Sequence, residues 1–169
     1  MSVYQNIAYD YDKITALIYD IRNLGRKATP LRIPLLHMLE REVLILNRAE
    51  KRVLYRPLEE IGISKNLVSK LENQAREIEK QFYEIESLKE NSEEWHKAFE
   101  ALAENILMHI ETDQEDFFPL ADGLLKKISP MALEEKLANE KNRQWGVGLE
   151  VQKISPTAIF MQQVRQSQY

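Results

Sequence analysis

Apolar residues recur at alternating intervals of four and three along four long segments, and this spacing constrains the fold more than any other feature. An α-helix turns once in about 3.6 residues, so such a rhythm places the residues on one helical face, whereas a strand needs strict alternation. The four stripes are Ile7, Tyr11, Ile14, Ile18 and Ile21; Leu36, Leu39, Val43, Leu46, Glu50 and Val53; Val68, Leu71, Ala75, Ile78, Phe82 and Ile85; and Trp95, Phe99, Leu102, Ile106, His109, Asp113 and Phe117. The sequence therefore predicts an all-α protein.

Residues typical of helix ends separate the four stripes. Gly25 is expected to end the first helix, and Pro57 and Pro119 to end the second and the fourth. Ser64 and Ser92 are expected to cap the N-termini of the third and the fourth. Because short connections force sequential helices to run in opposite directions, we expect an antiparallel up-down-up-down four-helix bundle.

The bundle is expected to occupy residues 1–121, and residues 122–169 to form an extension with additional short C-terminal helices. Ser129-Pro130 starts one helix, with Gly146 as its expected end, and Ser155-Pro156 precedes a second apolar segment. This extension is expected to pack on the bundle or on another chain. It is therefore the surface on which the sequence predicts a protein partner or a homo-oligomer.

Composition narrows the class of partner. The formal net charge of −4 comes from interspersed acidic and basic residues, which argues against a nucleic-acid surface. The absence of cysteine excludes disulfides and thiolate metal ligands. The sequence contains neither a run of about 18 apolar residues nor a basic, then apolar N-terminal signal. We therefore expect no membrane association and a cytoplasmic location.

One layer of the predicted core is polar. In an up-down-up-down bundle, the early parts of helices one and three lie level with the late parts of helices two and four. Tyr11, Glu50, Ala75, His109 and Asp113 should therefore meet near one end of the bundle. An unpartnered carboxylate inside a core costs several kcal/mol, so the two acids must be hydrogen-bonded, paired with a charge or bound to a metal.

The residues of this layer lie within recurring motifs: His109 and Asp113 precede Phe117-Phe118-Pro119, Glu50 precedes Tyr55-Arg56-Pro57, and Tyr11 stands in the segment Asp10-Tyr11-Asp12-Lys13-Ile14. These motifs, in this order, resemble those of hemerythrin-like proteins, the HHE cation-binding domain family. The resemblance covers about residues 3–121. It implies a four-helix bundle and, in the family, a di-iron centre held by histidines from each helix and by bridging carboxylates.

The chain departs from the ligand set that the resemblance implies. The family's histidine positions on the first three helices fall on Tyr11, Leu46 and Ala75, so that only His109 remains. The carboxylate positions fall on Glu50 and Asp113. Because three imidazole ligands are lost, we do not expect an ordinary di-iron site.

Two hypotheses remain open for the polar layer. In the first, the protein is a non-enzymatic binding or assembly protein without a cofactor. A protonated His109 then lies between Glu50 and Asp113, which raise its pKa, and the Tyr11 hydroxyl donates to one acid. In the second, these four residues form a remnant site for a single Fe, Zn or Mn ion, which would serve oxygen, redox or metal sensing as the resemblance implies.

Other candidate residues have simpler interpretations. His37 and His96 each lie one position off an apolar stripe, which predicts a place at the solvent edge. Tyr55, Phe117 and Phe118 are expected to cap the hydrophobic core. The sequence contains no motif for a nucleophile or a substrate pocket, so no catalytic residue is predicted and an enzyme is the less expected class.

Overall fold

The computed structural model describes residues 3–125 and 130–152, and the regular structure of these residues is entirely helical. Two segments within longer helical stretches, Lys51–Tyr55 and Asp113–Phe117, are π-helical turns. The predicted segment after Ser155-Pro156 lies outside the described residues. The helices are α1 (Val3–Leu24), α2 (Arg32–Glu50), α3 (Arg56–Glu60), α4 (Lys65–Glu86), α5 (Glu93–Thr112), α6 (Phe118–Leu125) and α7 (Pro130–Gln152).

Helices α1, α2, α4 and α5 form the four-helix bundle, and side-chain pairs between them show that neighbours are antiparallel. Along the α4–α5 seam, residue numbers rise in one helix as they fall in the other. The three pairs are Lys70 with Asp116 at 3.2 Å, Gln74 with Thr112 at 3.2 Å, and Gln81 with Asn105 at 3.0 Å. The predicted all-α bundle, followed by further helices, is confirmed.

The predicted apolar faces form the core. Every residue of the four stripes is buried except Ala75, which is half-buried. Because these faces point inward, the hydrophobic surface is used in packing the helices against one another. Among residues 3–125 and 130–152, no helix is long and apolar enough to cross a membrane.

The predicted helix ends at glycine and serine are present. Gly25 follows α1 with a φ of 54°, and its amide donates to the Arg22 carbonyl at 3.0 Å. That left-handed conformation favours glycine, which has no Cβ to clash. Ser92 accepts a hydrogen bond from the Trp95 amide at 3.1 Å, and Ser64 caps α4 in the same way.

The prediction that Pro57 and Pro119 end their helices was wrong. Each lies two residues beyond a π turn, and the helical backbone continues through it into α3 or α6. The amide of the residue before each proline bonds five residues back, Arg56 to the Lys51 carbonyl and Phe118 to the Asp113 carbonyl. We attribute this continuity to the wider π turn, which accommodates the ring and the missing amide hydrogen of proline.

Helix α7 packs on α1, α2 and the first π turn. Leu133 and Leu137 are buried, and Lys141 pairs with the buried Asp10 of α1. The expected end at Gly146 was wrong, because α7 continues to Gln152. Gly146 does not adopt the positive φ seen at the end of α1, and a helical glycine costs only about 1 kcal/mol.

Glu40 on α2 should make the stability of the bundle depend on pH. Burial, together with the neighbouring Glu86 and Glu79 of α4, raises the pKa of its carboxyl from 4.5 to about 7. The folded protein then binds a proton that the unfolded chain has lost, so stability falls as pH rises from about 4.5 to about 7. We predict that Glu40→Gln flattens this part of the profile, with a gain of a few degrees in Tm above pH 7.

The measurement is thermal unfolding followed by circular dichroism across that pH range. Glu104→Gln, an exposed change on α5, is the matched control and should leave the profile unchanged. A Glu40→Gln profile that stays parallel to that of the parent protein would contradict the assignment.

Candidate metal centre

Three helices and a π turn place four polar side chains at one level near one end of the bundle. Tyr11 comes from α1, Glu50 from the last residue of α2, His109 from the last turn of α5, and Asp113 from the start of the second π turn. All four are at most 3% exposed. The structure thus brings together the four residues that the sequence predicted as candidate ligands.

Two tyrosine hydroxyls face the two carboxylates. Tyr11 Oη donates to Glu50 Oε1 at 2.8 Å and lies 2.9 Å from Asp113 Oδ2. Tyr55 Oη lies 2.7 Å from both Asp113 oxygens and 3.4 Å from Glu50 Oε2. The interpretation of Tyr55 as only a cap of the core was therefore wrong, because its hydroxyl belongs to the polar layer.

The first π turn explains why Tyr55 was missed. In an α-helix, the position five residues after Glu50 points about 140° away from it. A π turn contains more residues, so residues five apart come closer to the same side. Tyr55 therefore reaches Asp113 and Glu50 only because the backbone between Lys51 and Tyr55 is π-helical.

The two carboxylates have more short contacts than the neighbouring hydroxyl groups have hydrogens to donate. Four contacts of 2.7–2.9 Å join the phenolic oxygens of Tyr11 and Tyr55 to the two acids, yet two phenols carry only two hydroxyl hydrogens. Burial raises the pKa of Asp113 to about 7, and burial and the nearby Asp113 raise the pKa of Glu50 well above its usual value. The pair therefore favours an additional positive charge, either a proton or a cation.

Burial favours the neutral form of His109, contrary to the expectation for a metal-free network. Burial lowers the pKa of its imidazole to about 4, whereas proximity to the two acids was expected to raise it. The reason is geometric: Nε2 lies 3.6 Å from Asp113 Oδ2, too far for a hydrogen bond that would offset desolvation. A protonated His109 held between the two acids is therefore not what the structure shows.

The two imidazole nitrogens have different surroundings. Nδ1 lies 3.1 Å from Oε1 of Gln74 on α4. Nε2 is buried and has no hydrogen-bond partner among the residues that the structure describes. A buried polar atom without a partner is costly, so this nitrogen is the feature of the layer that most requires an explanation.

The α4 residue at the centre differs from the expected one. Ala75 is half-buried, and its neighbour Gln74 is the residue that contacts His109. Leu46, which the motif resemblance places at the family's second-helix histidine position, is fully buried one turn before Glu50. His37 and His96 are half-buried and lie elsewhere, where His37 pairs with Glu86 and His96 bonds to Asn91.

The residues fit a single cation. One ligand atom each from Glu50, His109 and Asp113 lies within 4.8 Å of the others. Tyr11 Oη, which is hydrogen-bonded to both carboxylates at 2.8 Å and 2.9 Å, adds a fourth oxygen beside them. A neutral nitrogen, two carboxylates and a phenol suit Fe, Mn or Zn.

An antiparallel four-helix bundle with carboxylates and a histidine inside one end defines a class of metal-binding bundle proteins. The family model for the hemerythrin HHE cation binding domain matches residues 4–121. The chain therefore belongs to this family, as the motifs predicted. No curated protein and no solved structure matches the chain.

Removal of one buried negative charge should stabilise the metal-free protein. We predict that Glu50→Gln raises the Tm of chelator-treated protein by a few degrees at about pH 8, because the change relieves the repulsion and desolvation of the pair. The pKa of Asp113 is raised from 3.8 to about 7, so this acid binds a proton as pH falls through about 7. The gain should therefore shrink toward about pH 5, where the unsubstituted pair holds a proton.

Differential scanning calorimetry at the two pH values measures this difference. Glu111→Gln, on the exposed face of α5, is the matched control and should have no effect at either pH. A lower Tm for Glu50→Gln at the higher pH would show that the Glu50 charge is stabilising in the absence of metal.

Proposed function

We propose that the protein binds one transition-metal cation through Glu50, His109 and Asp113, with Tyr11 supplying a fourth donor atom. The observation that carries this proposal is His109 Nε2, which is buried, has no hydrogen-bond partner among the described residues and lies 3.6 Å from Asp113 Oδ2. One possible ligand atom each from Glu50, His109 and Asp113 lies within 4.8 Å of the others. A cation at this place satisfies the nitrogen and neutralises the carboxylates together.

The ligand set supports one ion rather than two. At the histidine positions of the first two helices, the chain has the phenol of Tyr11 and the hydrocarbon side chain of Leu46. The α4 contribution is Gln74, whose oxygen faces His109 Nδ1. A single nitrogen donor and a filled position at Leu46 favour a mononuclear site over the family's di-iron centre.

Charge balance indicates the kind of cation. With a neutral His109, the carboxylates of Glu50 and Asp113 balance a divalent ion. Loss of the Tyr11 hydroxyl proton would balance a trivalent one. A bound Fe or Mn ion would supply redox chemistry, and Zn would supply a fixed positive charge.

Burial of the ligands favours sensing over turnover of a bulky substrate. The side chains of Glu50, His109 and Asp113 are at most 3% exposed, so a bulky substrate could not reach them in this conformation. Within the family resemblance, oxygen, redox or metal sensing is the corresponding role.

A second candidate function is assembly through the C-terminal extension. Helix α7 directs Leu133 and Leu137 into the bundle, while Met131 is 79% exposed. An exposed methionine adapts to irregular apolar surfaces. We infer that the outer face of α7 is the surface on which a protein partner or a second copy would bind.

Metal loading tests the proposed site. We predict about one Fe, Mn or Zn ion per chain in protein that has been chelator-treated, reloaded and desalted. His109→Ala should weaken binding at least about 100-fold, because it removes the nitrogen ligand, and loss of even an outer hydrogen-bonding partner costs 10–100-fold. Elemental analysis gives the stoichiometry, and competition with a chromogenic chelator gives the affinity.

His37→Ala is the matched control, because this imidazole pairs with Glu86 and lies outside the site. It should bind metal as the parent protein does. Two ions per chain, or unchanged binding by His109→Ala, would overturn the proposal.

A further inference from the structure

A chain of hydrogen bonds begins at the backbone of α5 and ends at His109. The Thr112 hydroxyl donates to the Met108 carbonyl at 2.9 Å, which is a common contact between a helical threonine and the residue four before it. A hydroxyl carries one hydrogen, so this bond uses it. The oxygen of Thr112 can then only accept from its other neighbour, Gln74.

This contact determines which way the Gln74 amide points. Its Nε2 donates to Thr112 Oγ1 at 3.2 Å, which leaves Oε1 facing His109 Nδ1 at 3.1 Å. The reversed amide would place Oε1 against Thr112 Oγ1, whose only hydrogen is already given to the Met108 carbonyl, and would place the NH2 group against His109 Nδ1. A neutral imidazole can either donate or accept at Nδ1, so His109 alone would permit both amide orientations. Thr112 favours one of them.

The orientation of Gln74 then decides which imidazole nitrogen carries the hydrogen. Oε1 has no hydrogen to give, so the bond requires an N–H at Nδ1 of His109. A neutral imidazole has one N–H, so Nε2 carries a lone pair. That lone pair lies on the side of Asp113, whose Oδ2 is 3.6 Å away.

We propose that Thr112 and Gln74 are positioning residues that select the Nδ1–H tautomer of His109 and thereby keep Nε2 available as a ligand nitrogen. The tautomer is a property of the metal-free protein, and only its effect on cation binding rests on the proposed function. The hydrogen bond made by one ring nitrogen sets the state of the other, and outer contacts of this kind tune metal ligands.

Gln74 suits this task better than an acid would. A carboxylate at position 74 would also accept from Nδ1–H, but it would add a third negative charge beside Glu50 and Asp113. An amide oxygen also accepts a hydrogen bond from Nδ1–H and adds no charge, provided that another group holds the orientation of the amide. Thr112 is that group, since it is 6% exposed and its hydroxyl is already bound to the Met108 carbonyl.

The first arm of the test uses chelator-treated, ¹⁵N-labelled protein and long-range proton–nitrogen correlation spectra of the His109 ring at about pH 7, well above its pKa of about 4. We predict the Nδ1–H tautomer for the parent protein. Thr112→Val keeps the shape and removes the acceptor, so the amide is free to reverse and the Nε2–H form should gain population. Thr112→Ser should restore the parent spectrum.

The second arm measures affinity for Zn(II) and Mn(II) by chelator competition. Thr112→Val and Gln74→Leu should each weaken binding about 10–100-fold, the usual effect of losing an outer contact, while Thr112→Ser stays near the parent value. Gln81→Leu is the matched control, because it breaks the Asn105 hydrogen bond on the same α4–α5 seam without touching His109.

The outcomes separate the two proposals. An Nε2–H tautomer in the parent protein, or a tautomer that Thr112→Val leaves unchanged, overturns the positioning role. If Thr112→Val binds metal as the parent protein does, the proposed effect of Thr112 on metal binding by His109 is overturned. A parent protein that binds no cation but shows the Nδ1–H tautomer overturns the proposed function and leaves the tautomer assignment supported.

Discussion

The burial of two carboxylates side by side is the constraint on which the rest of this structure depends. Glu50 and Asp113 are fully buried, and their pKa values are raised because desolvation disfavours the charged forms. The phenols of Tyr11 and Tyr55 supply hydrogens, but too few for every short contact. The pair therefore favours an added positive charge, and the unpartnered Nε2 of His109 lies 3.6 Å from Asp113 Oδ2.

The two π turns contribute to this layer in the same way, because each lies next to one of the buried acids. Glu50 directly precedes one turn and Asp113 begins the other. Each turn ends on an aromatic residue, Tyr55 or Phe117, and these rings meet edge to face at 4.9 Å. π turns are often found at functional sites, and here each changes the direction of the helix face at a buried acid.

The opposite end of the bundle is organised differently. Arg32 is buried, donates to the carbonyls of Gly25 and Lys27, and lies 5.7 Å from the ring centre of Trp95. These contacts tie the α1–α2 connection to the start of α5. That end is held by apolar packing and by the two hydrogen bonds of the Arg32 guanidinium, although Arg32 Nε is buried without a partner among the described residues.

Spacing within single helices determined much of this protein. The four stripes, the caps at Ser64 and Ser92, and the common level of Tyr11, Glu50, His109 and Asp113 follow from helical periodicity and from short connections, which need no knowledge of neighbouring side chains. Only the tertiary structure decided that Tyr55, Gln74 and Thr112 join the centre, that two prolines lie within continuous helices, and that burial lowers the pKa of His109. Those features depend on π turns, on the register between helices and on the direction of hydrogen bonds across the α4–α5 seam, and residue spacing along one helix encodes none of these.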